Sequence, residues 1–325
     1  MENTSKSGLI AAFDDKAARR FKARSQNQVN LYSRPERPST APISPDIPSP
    51  NLFPSARETV DERGRGRHKG RIMPSLGSVP YLNALPLLEG LEAATQTPIV
   101  FDRPARLHER VLRGEIDVAL LPVISYLECP DLRLIPGTGI VSHGEVRSVK
   151  AFHDKKGVTL ANCARIHLDT DSKTSRRLLK LLLLKKYDRD LAEIDFVEEA
   201  RDADTILQIG DKALEKSHFG NASDLGAEWQ ELTGLPFVYA CWMSRVPITQ
   251  ELLTHLHNAK MMGKQSLEDI AARQKLIPPD EALSYLTQNI QYDVEGPELV
   301  GLKMFFDWVV ELENQNYDTS LRFVA

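Results

Sequence analysis

The sequence predicts an α/β protein of two lobes carried behind a disordered N-terminal extension, and three observations lead there. Short apolar runs such as Ile116-Asp117-Val118-Ala119-Leu120-Leu121 alternate with segments of helical periodicity, the pattern of a sheet with helices packed on it. Several of those runs end in turns rich in Asn, Ser, Thr or Gly that lead straight into a helix. Residues 1–72 share neither property.

The 325 residues can hold two domains, and 42% hydrophobic with 26% charged residues suits a globular chain with a sizeable core. A net charge of -4 leaves no nucleic-acid footprint. No apolar run approaches the ~18 residues needed to span a membrane, the strongest cluster lying at Leu178 to Leu184. Cys129, Cys163 and Cys241 are odd in number, far apart and without zinc spacing. They read as buried small hydrophobes of a reducing compartment, and a cytoplasmic location is expected.

In residues 1–72, Pro35, Pro38, Pro42, Pro45, Pro48, Pro50 and Pro54 are followed by the basic run Arg63, Arg65, Arg67, His68, Lys69 and Arg71. Such a segment cannot bury enough surface to offset its ordering entropy, so it is expected to be disordered. The apolar stretch Gly8–Phe13 is too short for a secretory signal and runs into Asp14-Asp15. Acidic residues disfavour an organellar transit peptide. Met73 directly precedes the first strand and is a candidate start of translation.

The first lobe is expected over 73–157, the second over 158–240, and a return to the first lobe with C-terminal helices over 241–325. The first strand, around Leu76, runs into Tyr81-Leu82-Asn83-Ala84-Leu85-Pro86, with Asn83 at the N-cap of the next helix. An Asn there accepts a backbone N–H, and the free N–H groups of a helix start attract carboxylates. Plain capping explains the same residue. Pro98–Phe101 follows as a strand, and Pro104 to Gly114 as a helix with Leu107, Val111 and Leu112 on one face. Ile116–Pro122 is a buried strand, broken by Pro122 and followed by a short helix that carries Ser125. Parallel strands with right-handed crossovers bring such turns to one sheet edge, so Asn83 and Ser125 are expected to face one cleft.

Within Ile140–Phe152 a Gly turn is followed by a strand that starts at Val146, with Ser142 before the turn and Arg147 and Ser148 on opposite faces. Ile166–Asp169 is a strand leading into Ser172, Thr174 and Ser175 and a Leu-rich helix from Arg176 to Tyr187. A helix cap needs one of those hydroxyls; three within four positions exceed that need. Ala203–Ile209 is a strand ending at Gly210, where Asp211 either caps the next helix or flanks a backbone contact made by Gly210. Thr233–Ala240 should cross back to the first lobe. From Ile248 the chain reads as helical, with Trp242 and Trp308 as core residues and no chemical motif.

The order of these motifs carries a resemblance that extends from Met73 to Val310. Tyr81-Leu82-Asn83-Ala84-Leu85-Pro86, Gly114-Glu115-Ile116-Asp117-Val118-Ala119-Leu120-Leu121-Pro122, the Leu168-Asp169 turn with Ser172, Thr174 and Ser175, Ile209-Gly210-Asp211 and Asp224-Leu225-Gly226 resemble the chorismate dehydratase family of menaquinone biosynthesis by the futalosine route. At the first Gly turn His143 and Glu145 stand where that family usually has Asp and Pro. The resemblance implies a two-lobed periplasmic-binding-protein-like fold of type II. It also implies dehydration of chorismate to 3-(1-carboxyvinyloxy)benzoate without a metal or other cofactor, and a small-molecule substrate with no nucleic-acid or membrane partner.

On that resemblance Asn83 and Ser148 are the expected catalytic residues, and Tyr81, Ser125, Ser142, Arg147, Ser172, Thr174, Ser175 and Gly210 the expected substrate-binding ones. Arg147 is the nearest cation in the motifs, and alternation leaves it equally a structural residue. His143 and His167 lie in or near the candidate turns and read as structural. No Gly-rich phosphate loop, His-Glu-x-x-His or Cys-x-x-Cys motif competes. Two other readings stay open: a solute receptor of the same fold, which the missing signal peptide disfavours, and the related dihydroxynaphthoate synthase, whose opening motif differs.

Overall fold

A computed structural model of the protein describes residues 73–169, 172–216 and 220–324; the extension expected over 1–72 lies outside them. Ten strands form two five-stranded sheets. β1 (Leu76–Ser78), β2 (Ile99–Phe101), β3 (Val118–Pro122) and β4 (Arg133–Ser142) belong to the first sheet. β5 (Val149–His153), β6 (Arg165–Leu168), β7 (Asp195–Val197), β8 (Thr205–Ile209) and β9 (Ala222–Asp224) make the second, and β10 (Phe237–Ser244) returns to the first.

The two sheets share one plan. The first has the order β2-β1-β3-β10-β4, with β1 parallel to β2 and β3 and β10 antiparallel to β3 and β4. The second has the order β7-β6-β8-β5-β9, with β6 parallel to β7 and β8 and β5 antiparallel to β8 and β9. In each, crossover helices cover the parallel strands, so central strands such as β3 are apolar on both faces. Val118, Leu120 and Trp242 are fully buried in the first lobe, and Ile166, Leu207, Leu178, Leu179 and Leu182 in the second. Trp242 is a core residue as expected, whereas Trp308 packs half-buried against the core.

Strand membership puts the two crossings between Ser142 and Val149 and between Asp224 and Phe237. Both fall earlier than the 157/158 and 240/241 boundaries expected from sequence. The cause of the first is that the strand expected after the Gly turn pairs as β5 in the second sheet, while β4 before the turn stays in the first, so the segment Ile140–Phe152 is not continuous. Asp224 breaks it: its carboxylate accepts the N–H groups of Val146 at 2.9 Å and Arg147 at 2.7 Å, and Arg147 takes the left-handed conformation at φ 60°. The same carboxylate caps the helix Leu225–Thr233 through Gly226 and Ala227.

Of the C-terminal helices, Gln250–Gln265 and Leu267–Arg273 pack on the first lobe, and Pro279–Ser284 packs on Leu267–Arg273. Gly263 makes the closest approach, because a Cβ there would stand 1.9 Å from the Pro86 carbonyl oxygen. That contact sets the turn bearing Asn83 directly on a helix backbone.

Candidate functional site

A cavity of about 580 Å³, counting its open mouth, lies between the lobes. Tyr81, Asn83, Ser148, Ser172, Thr174, Ser175 and Gly210 all line it, joined by Pro122, Tyr239 and apolar residues such as Leu120 and Ile209. Among the described residues, those lining it include no Asp, Glu, Lys, Arg or His. Recognition of an anion here falls to hydroxyls, amides and backbone N–H groups.

Asn83 comes from a 3-10 turn, Leu82–Leu87, and not from an N-cap. Tyr81 occupies the cap position, and its carbonyl accepts from Ala84 N–H at 2.9 Å, while Pro86 within the turn removes a donor. The Asn83 side chain is thereby released from capping. It is 9% exposed, its Nδ2 donates to the Tyr285 hydroxyl at 3.0 Å, and its Oδ1 is buried without a partner. Tyr285 in turn donates to Ser148 Oγ at 2.9 Å. Ser148 and Tyr285 are 2% and 1% exposed, and burial raises the phenol pKa, so the phenol remains protonated.

Ser172 caps the helix Lys173–Lys185, its Oγ accepting Ser175 N–H at 3.1 Å. The N-terminus of that thirteen-residue helix faces the cavity through Ser172, Thr174 and Ser175. Thr174 Oγ1 also accepts Ile124 N–H of the first lobe at 3.4 Å. Beside it Glu128 of the first lobe pairs with Lys173 at 2.6 Å and Arg177 at 3.2 Å, and Arg177 continues to Glu313 at 2.7 Å. These contacts tie the two lobes together next to the helix start.

Gly210 adopts φ 63° and ψ -146°, a region reserved for Gly, and lies flat on the Tyr81 ring, where a Cβ would come within 3.1 Å. Its N–H donates to the Ser148 carbonyl at 2.8 Å. Gly210→Ala is expected to cost about 1–3 kcal/mol from backbone strain and to push Tyr81 away, read as a lower melting midpoint.

Capping is one of the roles expected of Asp211 from sequence, but Asp211 does not cap its own helix; its carboxylate reaches across the cleft to accept Leu82 N–H at 3.1 Å. Burial raises its pKa against the lowering effect of that bond. A carboxyl raised in the folded state contributes stability that is present in acid and lost as pH rises through the raised value. Asp211→Asn keeps an oxygen for Leu82 and drops the charge. The expected result is a higher midpoint than wild type near about pH 7, with the gain shrinking near about pH 4, measured by thermal denaturation.

The cavity does not receive Ser125, Ser142 or Arg147. Pro122 brings the end of β3 to the cavity, and Ser125 lies within the next helix, 2% exposed in the core. Ser142 Oγ donates to the Gly144 carbonyl at 2.9 Å and shares a hydrogen bond with Tyr239 Oη at 3.0 Å, which holds the crossing loop. Arg147 lies in the left-handed turn, with Glu281 at 3.7 Å. His143, half-exposed, pairs with Glu298 at 2.8 Å, and Glu145 with Lys150 at 3.2 Å. The residue that sequence reasoning missed is Tyr285.

Among the described residues no group of His, Cys, Asp and Glu is placed to hold a metal, and no helix is long and apolar enough to cross a membrane. All three cysteines are buried.

Comparison with known proteins bears on the family and the fold. A chorismate dehydratase of Thermus thermophilus is 32% identical over 264 residues, covering 71% of this chain and 93% of that protein. Among solved structures, protein AF1704 from Archaeoglobus fulgidus matches with a TM-score of 0.57 at 15% identity, covering 74% of this chain and 97% of that one. The periplasmic aliphatic sulphonate binding protein SsuA from Escherichia coli matches with a TM-score of 0.55 at 16% identity, over 77% and 91% of the two chains. These likenesses establish the periplasmic-binding-protein-like fold. The model of the menaquinone biosynthesis family matches residues 74–311, and it is to this family that the chain belongs.

Proposed function

We propose that the protein is a cytoplasmic chorismate dehydratase of the futalosine route, a lyase that converts chorismate to 3-(1-carboxyvinyloxy)benzoate and water. The observation that carries the reading is one cavity in which the Asn83 amide and the Ser148 hydroxyl stand together with the start of the helix Lys173–Lys185. Chorismate has two carboxylates, a ring hydroxyl and an apolar ring. A helix N-terminus suits a carboxylate, and the hydroxyl-lined, cation-free wall suits the rest.

The chemistry asks little of the protein beyond orientation. The hydrogen on the ring carbon that bears the enolpyruvyl ether is vinylogously acidified by the ring carboxylate. It leaves as a proton, and the neighbouring hydroxyl leaves with its bonding pair; together they make water. The pair from the broken C–H bond becomes the third ring double bond, and aromatisation drives the reaction. Asn83 Oδ1 accepts from the substrate hydroxyl and Ser148 donates to a substrate oxygen, which orients the departing groups and stabilises developing charge. The substrate's own enolpyruvyl carboxylate takes the proton and hands it to the departing hydroxyl, which leaves as water, in keeping with a wall that holds no acidic or basic side chain.

Incubation of the purified chain with chorismate tests the reading. Appearance of an aromatic ultraviolet spectrum and of the product by mass spectrometry is the expected result. Binding without turnover would instead support a receptor of the same fold, and turnover of a later intermediate alone the dihydroxynaphthoate synthase reading.

A further inference from the structure

Tyr285 belongs to the part of the chain that carries no chemical motif, yet it touches both residues on which the proposed chemistry depends. It opens a π turn, Tyr285–Asn289, at the end of the helix Pro279–Ser284, and the Ile290 N–H returns to its carbonyl at 3.3 Å. Such turns re-aim a side chain that a regular helix would send elsewhere. The same segment grips the crossing loop from outside, with Asn289 Nδ2 donating to the Glu145 carbonyl at 3.0 Å and Glu281 beside Arg147.

We infer that Tyr285 is a positioning residue: by accepting from Asn83 Nδ2 and donating to Ser148 Oγ it fixes an acceptor, Asn83 Oδ1, and a donor, the Ser148 hydroxyl, for the ligand in the cavity. The inference rests on the dehydratase reading and deepens it. A phenol has one proton, and here that proton is given to Ser148 Oγ at 2.9 Å. Ser148 therefore keeps its own hydrogen to give. The phenol oxygen then offers only lone pairs to Asn83, so the amide turns its Nδ2 inward at 3.0 Å. What remains is Oδ1, buried, unpartnered and part of a cavity-lining residue, and a buried acceptor left empty is costly unless a ligand fills it. The reverse amide rotamer would draw the phenol proton to Oδ1 and turn Ser148 into the phenol's donor. The cavity would then meet an NH₂ group and a serine lone pair, the reverse of the acceptor and donor that the observed arrangement presents. The chain of two hydrogen bonds thus selects the ligand's donor and acceptor pattern from a residue that does not itself line the cavity.

Tyr285→Phe in the full-length chain tests this, because it keeps the ring and removes only the hydroxyl. With chorismate, kcat is expected to fall about 10–100-fold as the two groups lose their fixed orientation, with KM within about threefold and the melting midpoint within about 5 °C of wild type. In the Ser148→Ala background the same change is expected to cost several-fold less than in the wild type, since the arm through Ser148 is gone and only the bond from Asn83 remains. Retention of kcat within about twofold, or losses that multiply in the double variant, would overturn the inference while leaving the dehydratase reading intact. A wild-type chain that leaves chorismate unchanged overturns that reading, and the inference with it.

Discussion

Asn83→Ala is expected to lower kcat/KM for chorismate by about 10²–10³-fold, the usual consequence of removing one preorganised hydrogen-bonding group from a water-poor site. The variant removes the buried, unpartnered Oδ1 and also the Nδ2 bond to Tyr285. The fold should survive. Asn83 lies in a turn held by backbone bonds and by the approach of Gly263, and its one side-chain bond is worth about 1 kcal/mol. A folded variant with wild-type turnover would remove Asn83 from the mechanism. Ser148→Ala should lose a similar factor with the bond from Tyr285 as its only structural cost. The two losses should not multiply fully, because Tyr285 joins both residues in one hydrogen-bonded unit.

What the sequence makes legible, and what it hides, divides along the distance between partners. Local patterns are clear: the turn at Tyr81–Pro86, the buried strand that ends at Pro122 and the hydroxyl-rich start of the helix Lys173–Lys185 are each written within about a dozen residues, the range over which periodicity and capping act. Long-range partners are not. Arg147 alternates with Ser148 as a strand residue would, but Asp224, 77 positions away, pulls its N–H into a left-handed turn. Asp211 has the local chemistry of a cap, yet its partner is Leu82, 129 positions earlier. Tyr285 stands 202 positions from Asn83 in a helical stretch of ordinary composition, and no spacing rule connects the two. Three-residue strands such as β7 and β9 are too short to show alternation, and the first half of β4, with Pro136, Gly137 and Gly139, reads as loop. The lobe crossings were displaced for the same reason, since sheet membership is decided by pairing and not by the strand's own residues.

Trp229→Ala is expected to give the largest loss of stability, about 3–5 kcal/mol for a buried aromatic cut to a methyl group. Trp229 is 0% exposed and lies on the second-lobe helix Leu225–Thr233. Its ring meets Phe237 edge-on at 5.2 Å and Trp308 at 5.3 Å, with Phe305 at 6.3 Å. Those partners sit on β10 and on the helix Gly296–Glu313, so one side chain binds the second lobe to the strand and helix that return to the first. Its Nε1 also donates to the Pro236 carbonyl at 3.2 Å, at the crossing itself. Collapse of the surroundings cannot recover much of this, because aromatic neighbours on a strand and on a helix would have to shift together. Trp229→Phe should return most of the loss, since it restores the ring contacts without the hydrogen bond, and each aromatic pair is worth about 0.5–1.5 kcal/mol beyond its buried area. Denaturant unfolding measures both variants, and a Trp229→Ala cost below about 1 kcal/mol would mean that the aromatic cluster fills space without holding the lobes. A second reading separates the two roles. If the cluster sets how the lobes meet, Trp229→Ala should also raise KM for chorismate under conditions where the variant is fully folded, because Asn83 is carried by the first lobe and Thr174 by the second, and both line the same cavity.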